Sequence, residues 1–447
     1  MEIKDFQSKL FAKGKKKGFR EMETYYSATK STTVNVLDHE VKNFAITEQR
    51  GISFRGIYKE KMGYSYTEKI DETSIELLVA EAMENAESIE MDDKEELYAG
   101  ADYYESVNQY SQEASNLSPK ELIGAAIAME NTALQVSPFV KRVIQCSAVK
   151  GEGETIIANT KGLYCTAKYT NLSAGIYLMA SDGGQTTTGY ESDFTWKEFV
   201  AIDSQVIAEK AAQEALSKLG ANSIETGNYP IVLRYDTATQ LLNAFTSNLS
   251  GEVVEKGFSR LQGKLGEKIA GANITILDDP FMEDAPGVAA FDAEGYPTRK
   301  NELVKDGILL SFMHNRKTAK NAGRESTGNA AKSSYSASLS VGPHNLYLQP
   351  GQTTLSELIA ETETGIFVVE LQGTNAGINA VSGDFSLSAI GFLIENGKLG
   401  RPINQITLAG NLYEVLHNIE AIANDLRIKG AVSSPSLKIK SLTVSGK

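Results

Sequence analysis

Tyr235-Asp-Thr-Ala-Thr-Gln-Leu-Leu-Asn-Ala-Phe-Thr-Ser-Asn-Leu-Ser-Gly-Glu-Val-Val-Glu255 reads as an amphipathic helix, and the rest of the chain is best read outward from it. Leu241, Leu242, Phe245, Leu249 and Val253 recur at helical spacing and make one apolar face. Thr237 is placed to cap the helix, with Gln240 three residues on to close a capping box. Ahead of it, Asn228-Tyr-Pro-Ile-Val-Leu-Arg234 has the β-branched content of a strand. Behind it, Gly257-Phe-Ser-Arg-Leu-Gln-Gly-Lys-Leu-Gly266 is glycine-rich and basic, but it does not lead from a strand into a helix. It therefore reads as a turn rather than a phosphate loop.

Downstream the text is strand-rich, with segments at 273–277, 307–313, 345–348, 365–371, 385–394 and 399–408 and short helices at 354–360 and 412–424. Ile394-Glu-Asn-Gly-Lys398 sets Asn-Gly between two apolar runs, a hairpin signal. Upstream, a short helix at 5–12 precedes strands at 21–28, 32–37, 51–58 and 62–66, and Asp71-Glu-Thr-Ser opens a helix to about 87. The acidic, polar stretch 88–117, with Met91-Asp-Asp-Lys-Glu-Glu96, reads as a connection. Ser118-Pro-Lys-Glu121 is a strong helix start, with Pro at the first helical position and Glu at the box position. Strands at 141–149, 155–158, 162–180 and 186–194 and a helix at 202–219 complete a middle unit. The expected fold class is α+β in three units: an N-terminal α+β domain at 1–90, a middle α+β domain at 91–222, and a β-rich C-terminal domain with a few helices at 223–447.

At 447 residues the chain is long enough for two to four domains and a core that needs no disulfides. Cys146 and Cys165 are too few and too far apart for a disulfide framework and read as a buried, reduced pair. The net charge of −13 argues against direct nucleic-acid binding. The one basic run, Lys13 to Arg20, reads as a solvated helix end. The charged start Met1-Glu-Ile-Lys-Asp has no signal peptide's apolar region behind it, and no run approaches a membrane span, so a soluble cytoplasmic protein is expected.

The chemistry-bearing residues are sparse. His39, His314, His344 and His417 lie more than a helical turn apart, so no metal site and no cofactor is expected from spacing. There is no Gly-x-Ser-x-Gly elbow, and Ser333 beside Lys332 is adjacent only in sequence. Asp278, Asp279, Glu283, Asp284, Asp292 and Glu294 crowd one stretch and could hold a hard cation or do acid–base work. Acidic loops are nevertheless ordinary in a chain of this charge.

A set of motifs in order gives more. Phe258-Ser-Arg-Leu-Gln-Gly-Lys-Leu-Gly-Glu267, Asp278-Asp-Pro280, Phe291-Asp-Ala-Glu-Gly-Tyr-Pro-Thr298, Ser326-Thr-Gly-Asn329, Ser382-Gly-Asp-Phe-Ser386, Ile394-Glu-Asn-Gly397 and Thr407-Leu-Ala-Gly-Asn411 resemble the TldD/PmbA family. The N-terminal Gly51-Ile-Ser-Phe-Arg-Gly-Ile-Tyr58 fits as well. The resemblance covers most of the chain and is weakest over 90–200. It implies, for TldD-type members, a His-Glu-x-x-x-His helix before the Lys-Gly-x-Ser segment and a cysteine near the C-terminus, together holding zinc. Counting back from Lys256-Gly257 puts those three positions on Leu242, Asn243 and Ser247, and 425–435 contains no Cys. The chain therefore looks like the PmbA (TldE) branch.

That branch implies a non-metal partner of a TldD-type metallopeptidase subunit, acting on unfolded or flexible peptides, inactive alone and a homodimer when the partner is absent. Asp278, Asp279, Asp292, Glu294 and Asn329 are the candidates for a groove or acidic loop. Two alternatives are an independent hydrolase using Ser or carboxylate chemistry, and a non-enzymatic protein that modulates DNA gyrase or its inhibitors.

Overall fold

A computed structural model of the chain describes residues 1–89 and 96–447. Most of the acidic run expected to form a connection, 90–95, lies outside the described residues.

The N-terminal half is built on long antiparallel strands. Helix α1 (Ile3–Lys17) leads into β1 (Met22–Leu37), β2 (Glu40–Tyr58), β3 (Lys61–Thr67) and α2 (Glu72–Ser88). After the short α3 (Gln112–Asn116), α4 (Pro119–Gln135) leads into β4 (Val140–Asn159), β5 (Tyr164–Ser181), β6 (Thr186–Thr195) and α5 (Ser204–Ser217). The six strands form one sheet in the order β3-β2-β1-β4-β5-β6. That order is palindromic about the antiparallel β1–β4 pair, which runs from Glu23 opposite Asn159 to Val36 opposite Cys146. Each half repeats helix, three strands, helix, a duplication with no visible trace in the sequence. The strands read as separate pieces at 21–28 and 32–37 are one strand, and so are those at 141–149 and 155–158. The polar residues between them pair in register although they bury little. Residues 40–50, largely exposed and polar, extend β2 for the same reason.

All four long helices lie on one face of this sheet. Met22 and Tyr26 of β1 pack with Ile75 and Leu78 of α2, while Val34 and Val36 pack with Leu122 of α4 and Ala211 of α5. Asp71 caps α2 by accepting from the Ser74 N–H. The capping box expected at Ser118 and Glu121 starts α4. The intervening residues of β1, Glu23 and Tyr25, point to the opposite face, as period-2 alternation requires.

That opposite face meets the C-terminal half. There β7 (Gly227–Leu233), α6 (Tyr235–Thr246) and α7 (Gly251–Glu255) precede the short β8 (Ile276–Asp278), β9 (Asn301–Lys305), β10 (Ile308–Leu309) and α8 (Arg316–Asn321). Next come β11 (Ala330–Ala331), β12 (Ser340–Val341), β13 (Leu346–Leu348), α9 (Leu355–Ala360), β14 (Thr364–Gln372), β15 (Asp384–Glu395) and β16 (Lys398–Asn411). The chain ends with α10 (Leu412–Asn418), β17 (Ile419–Ile422), β18 (Val432–Ser433) and β19 (Leu437–Ser445). One sheet runs β16-β15-β14-β7-β19-β17, and β16 also pairs with β19, so five of its strands close into a small barrel. A second sheet runs β10-β9-β8-β13-β18. The β15–β16 hairpin turns at Asn396 and Gly397, both at positive φ, as the Asn-Gly signal anticipates. The α+β class and the β-rich C-terminal region are as the sequence reads.

Helix α6 departs from its sequence reading in two ways. It starts at Tyr235 with Arg234 as its cap residue, and Thr237 is not a cap. The Thr237 hydroxyl donates backward to the Arg234 carbonyl (2.8 Å). The helix also ends at Thr246. A 3₁₀ turn at Ser247–Leu249 follows, Ser250 is extended, and α7 begins at Gly251. The break is tertiary. The Gly251 N–H donates to the Met313 carbonyl (2.8 Å), and the His314 ring lies where a Cβ at 251 would sit. Leu249 stays in the core, but Val253 lies on a separate helix and is only partly buried.

Candidate functional site

Of the positions that the resemblance assigns to a metal, Leu242 and Asn243 lie on α6 and Ser247 opens the 3₁₀ turn that follows it. Leu242 is buried in an apolar crevice with Leu412, Val415 and Ser434, while Asn243 and Ser247 are exposed. The C-terminal stretch that would carry the third ligand does come to this helix, where the Ser434 N–H donates to Thr239 Oγ1 (2.9 Å). An apolar Leu, an amide and hydroxyls do not make a zinc donor set, which needs thiolate, imidazole or carboxylate. Among the described residues, no cluster of three or more His, Cys, Asp or Glu is arranged for a metal.

The acidic candidates separate. Asp278 is fully buried at the end of β8. Its Oδ1 accepts from the backbone N–H groups of His344 and Asn345 (both 2.9 Å), and its Oδ2 accepts from Asn329 Nδ2 (2.6 Å). Asn329 accepts in turn from Thr327 Oγ1 (2.7 Å) and Asn301 Nδ2 (3.2 Å). Asp292 accepts from the N–H groups of Glu294, Tyr296 and Ala330. Burial, with Glu294 beside it, pushes the Asp292 carboxyl up to about 8 against these donors. These are loop anchors. Asp279 pairs with Lys300 (3.1 Å), and Glu283 and Asp284 meet Lys197 at the surface. Of the acidic candidates, only Glu294 lines the cavity formed where the two halves of the molecule meet.

That cavity, of about 650 Å³, lies between the helix-free face of the first sheet and the C-terminal half, within the size range of small-molecule sites, roughly 300–1,000 Å³. Glu23, Tyr25, Ser53, Arg55 and Tyr64 line one side, and α7, α8, Glu294 and Lys332 the other. Alternation along β1, β2 and β3 brings the first group to one face, and the register sets Arg55 opposite both Glu23 and Tyr64. The Arg55 guanidinium pairs with Glu23 (2.7 Å) and lies 3.8 Å from Glu294. Lys332 Nζ donates to Ser53 Oγ (2.8 Å) and Tyr64 Oη (3.3 Å), and it lies over the Tyr25 and Tyr64 rings at 4.9 and 5.0 Å. Burial, then Arg55, pushes the Lys332 amine down to about 7, opposed by Glu23. The partner of Lys332 is thus not its sequence neighbour Ser333. Nothing in the sequence pairs Ser53 with Lys332 across 279 residues.

Comparison with known proteins places this architecture in a class. Family models described as PmbA/TldA metallopeptidase domain 1, central domain and C-terminal domain match residues 22–86, 112–219 and 226–446. The chain belongs to the PmbA/TldD family. It is similar to proteins named for both branches. It is 25% identical over 417 residues to a metalloprotease PmbA homolog of Haemophilus influenzae, covering 91% of this chain and 88% of that one. It is 27% identical over 453 residues to a metalloprotease TldD homolog of the same organism, covering 95% and 92%. Among solved structures, a candidate modulator of a DNA gyrase from Thermotoga maritima superposes with a TM-score of 0.92 at 27% identity, covering 99% of this chain and 100% of the other. TldE from Thermococcus kodakarensis shares the fold with a TM-score of 0.88 at 24% identity, covering 99% and 100%.

Proposed function

We propose that this chain is the non-metal subunit of a TldD/TldE-type peptidase, with catalysis supplied by a TldD-type metallopeptidase partner. Unfolded or flexible peptides are its substrates, and it forms a homodimer when the partner is absent. The observation that carries the reading is the chemistry of α6 and the turn after it: Leu242 is committed to the core, and Asn243 and Ser247 cannot replace imidazoles or a carboxylate base. The TldE fold likeness supports it. So does a pocket that holds both charge signs between the two halves, suited to a zwitterionic peptide. We assign the units 1–90, 91–222 and 223–447 and a cytoplasmic location to the same reading.

Metal analysis and peptidase assays test it. The purified chain is expected to hold far less than one zinc per molecule and to cleave an unfolded protein such as casein only after a TldD-type partner is added. Stoichiometric zinc together with chelator-sensitive cleavage by this chain alone would overturn the reading.

A metal-independent hydrolase is the second reading, favoured by one observation: the 2.8 Å approach of Lys332 Nζ to Ser53 Oγ has the geometry of a hydroxyl beside a basic amine. Stoichiometric labelling of Ser53 by a fluorophosphonate, with hydrolysis unaffected by chelators, would favour it over the first.

A further inference from the structure

Two of the cavity's cations are held by carboxylates beside them. Lys256 pairs with Glu252 on α7 (2.6 Å), and Arg55 pairs with Glu23. Lys332 has no carboxylate within ion-pair distance among the described residues and is met only by two hydroxyls and two ring faces. Neutral hydroxyls bring no charge to neutralise an ammonium, so the amine retains affinity for an anion entering the cavity.

A second donor stands beside it. The Tyr64 hydroxyl hydrogen is committed to the Tyr335 carbonyl (2.7 Å). The Ser53 hydroxyl accepts from Lys332, and its own hydrogen has only the distant Tyr25 carbonyl (3.5 Å) and the neighbouring Tyr64 oxygen to turn to, so it can rotate toward a ligand. An ammonium and a rotatable hydroxyl 2.8 Å apart match the two oxygens of one carboxylate. Glu23 on one side of the cavity and Glu294 on the other disfavour a dianion such as a phosphate ester.

We infer that Lys332 and Ser53 anchor a carboxylate of a peptide segment in the cavity, either a C-terminal carboxylate or an Asp or Glu side chain. The inference rests on the peptide-handling reading above and names the group that this subunit recognises. The Lys332 amine, pushed down by burial, recovers its proton when such an anion settles beside it. Tyr25 and Tyr64 position the amine through their ring faces.

The test is fluorescence anisotropy on the full chain with three N-terminally labelled probes: tetra-alanine as the free acid, the same peptide amidated, and an amidated version with Asp at the third position. The carboxylate-bearing probes are expected to bind at least about tenfold more tightly than the alanine amide. A preference confined to the free acid identifies the chain terminus, and one confined to the Asp peptide identifies the side chain. Lys332→Met brings the preferred probe down to the level of the amide, whereas Lys332→Arg keeps most of the preference. Equal binding of all three probes, no binding of any, or unchanged affinity in Lys332→Met overturns the inference. The acid-versus-amide comparison uses the unmodified chain and stands even if a variant misfolds. Partner-dependent cleavage without a carboxylate preference would sink this inference alone, and a carboxylate preference without partner-dependent cleavage would sink the proposed function alone.

Discussion

At the scale of single residues, the buried polar groups are chiefly there to hold loops. Asn329 donates to Asp278 and to the Gly342 carbonyl and accepts from Thr327 and Asn301, so its amide is fully used. Asn329→Ala takes the amide donor from the buried Asp278 Oδ2 and from the Gly342 carbonyl, with an expected cost of about 1–3 kcal/mol in urea unfolding and no effect on metal content. His314 differs. Its ring is buried, Nδ1 lies 3.0 Å from Thr318 Oγ1, and Nε2 has no partner among the described residues. Burial, then Arg324, pushes its pKa down to about 4, against an ordinary histidine value of about 6.5. Between those values the unfolded chain binds the proton and the native state does not. Stability is therefore full above about 6.5 and falls as pH drops toward about 4. His314→Phe is expected to flatten that part of the stability–pH curve in thermal melts, and an unchanged slope would remove His314 as its source.

At the scale of elements, the two halves of the first sheet solve the same packing problem in the same way. A Cβ on Gly63 of β3 would lie 1.9 Å from the Ala82 carbonyl oxygen of α2, and one on Gly189 of β6 would lie 1.9 Å from the Ala211 carbonyl oxygen of α5. In each half the third strand touches its closing helix backbone to backbone, at a glycine facing an alanine pair, Ala82 with Ala86 and Ala211 with Ala215. Gly63→Ala and Gly189→Ala are each expected to destabilise by about 1–3 kcal/mol through overpacking, read as a lowered denaturant midpoint. If either is neutral, the close approach is not a constraint. The sequence shows Gly63 and the alanine spacing of α2 but not their meeting. Helix α6 gives the complementary lesson. Its apolar face to Phe245 is legible because helical period and burial agree there. Its break at Ser250 is not, because Met313 and His314 impose it from a distant segment.

At the scale of the whole molecule, the cavity exists because one face of the first sheet has no helices and docks on the C-terminal half. The Tyr64 hydroxyl donates to the Tyr335 carbonyl, and the Tyr335 ring lies against Gly51, where a Cβ would come within 2.5 Å of it. Tyr104 reaches the Gly295 carbonyl (2.8 Å) on the same face. The metal-site positions on α6 and the 3₁₀ turn after it lie just ahead of the cavity residues on α7, yet Leu242, Asn243 and Ser247 are not among the cavity's lining.

What the sequence determined by itself is local or ordered along the chain: the α+β class, the caps at Asp71 and Ser118, the Asn-Gly hairpin, and the motif series that resembles the TldD/PmbA family. These depend on neighbours within a turn or a strand, where period and capping chemistry act. The pairing of Lys332 with Ser53, the conversion of an acidic run into separate loop anchors, the continuity of the long strands and the duplicated halves were decided only by the tertiary structure. Each depends on residues brought together from separate segments of the chain, and the Lys332–Ser53 pairing in addition on the sheet's free face and the C-terminal half closing on each other.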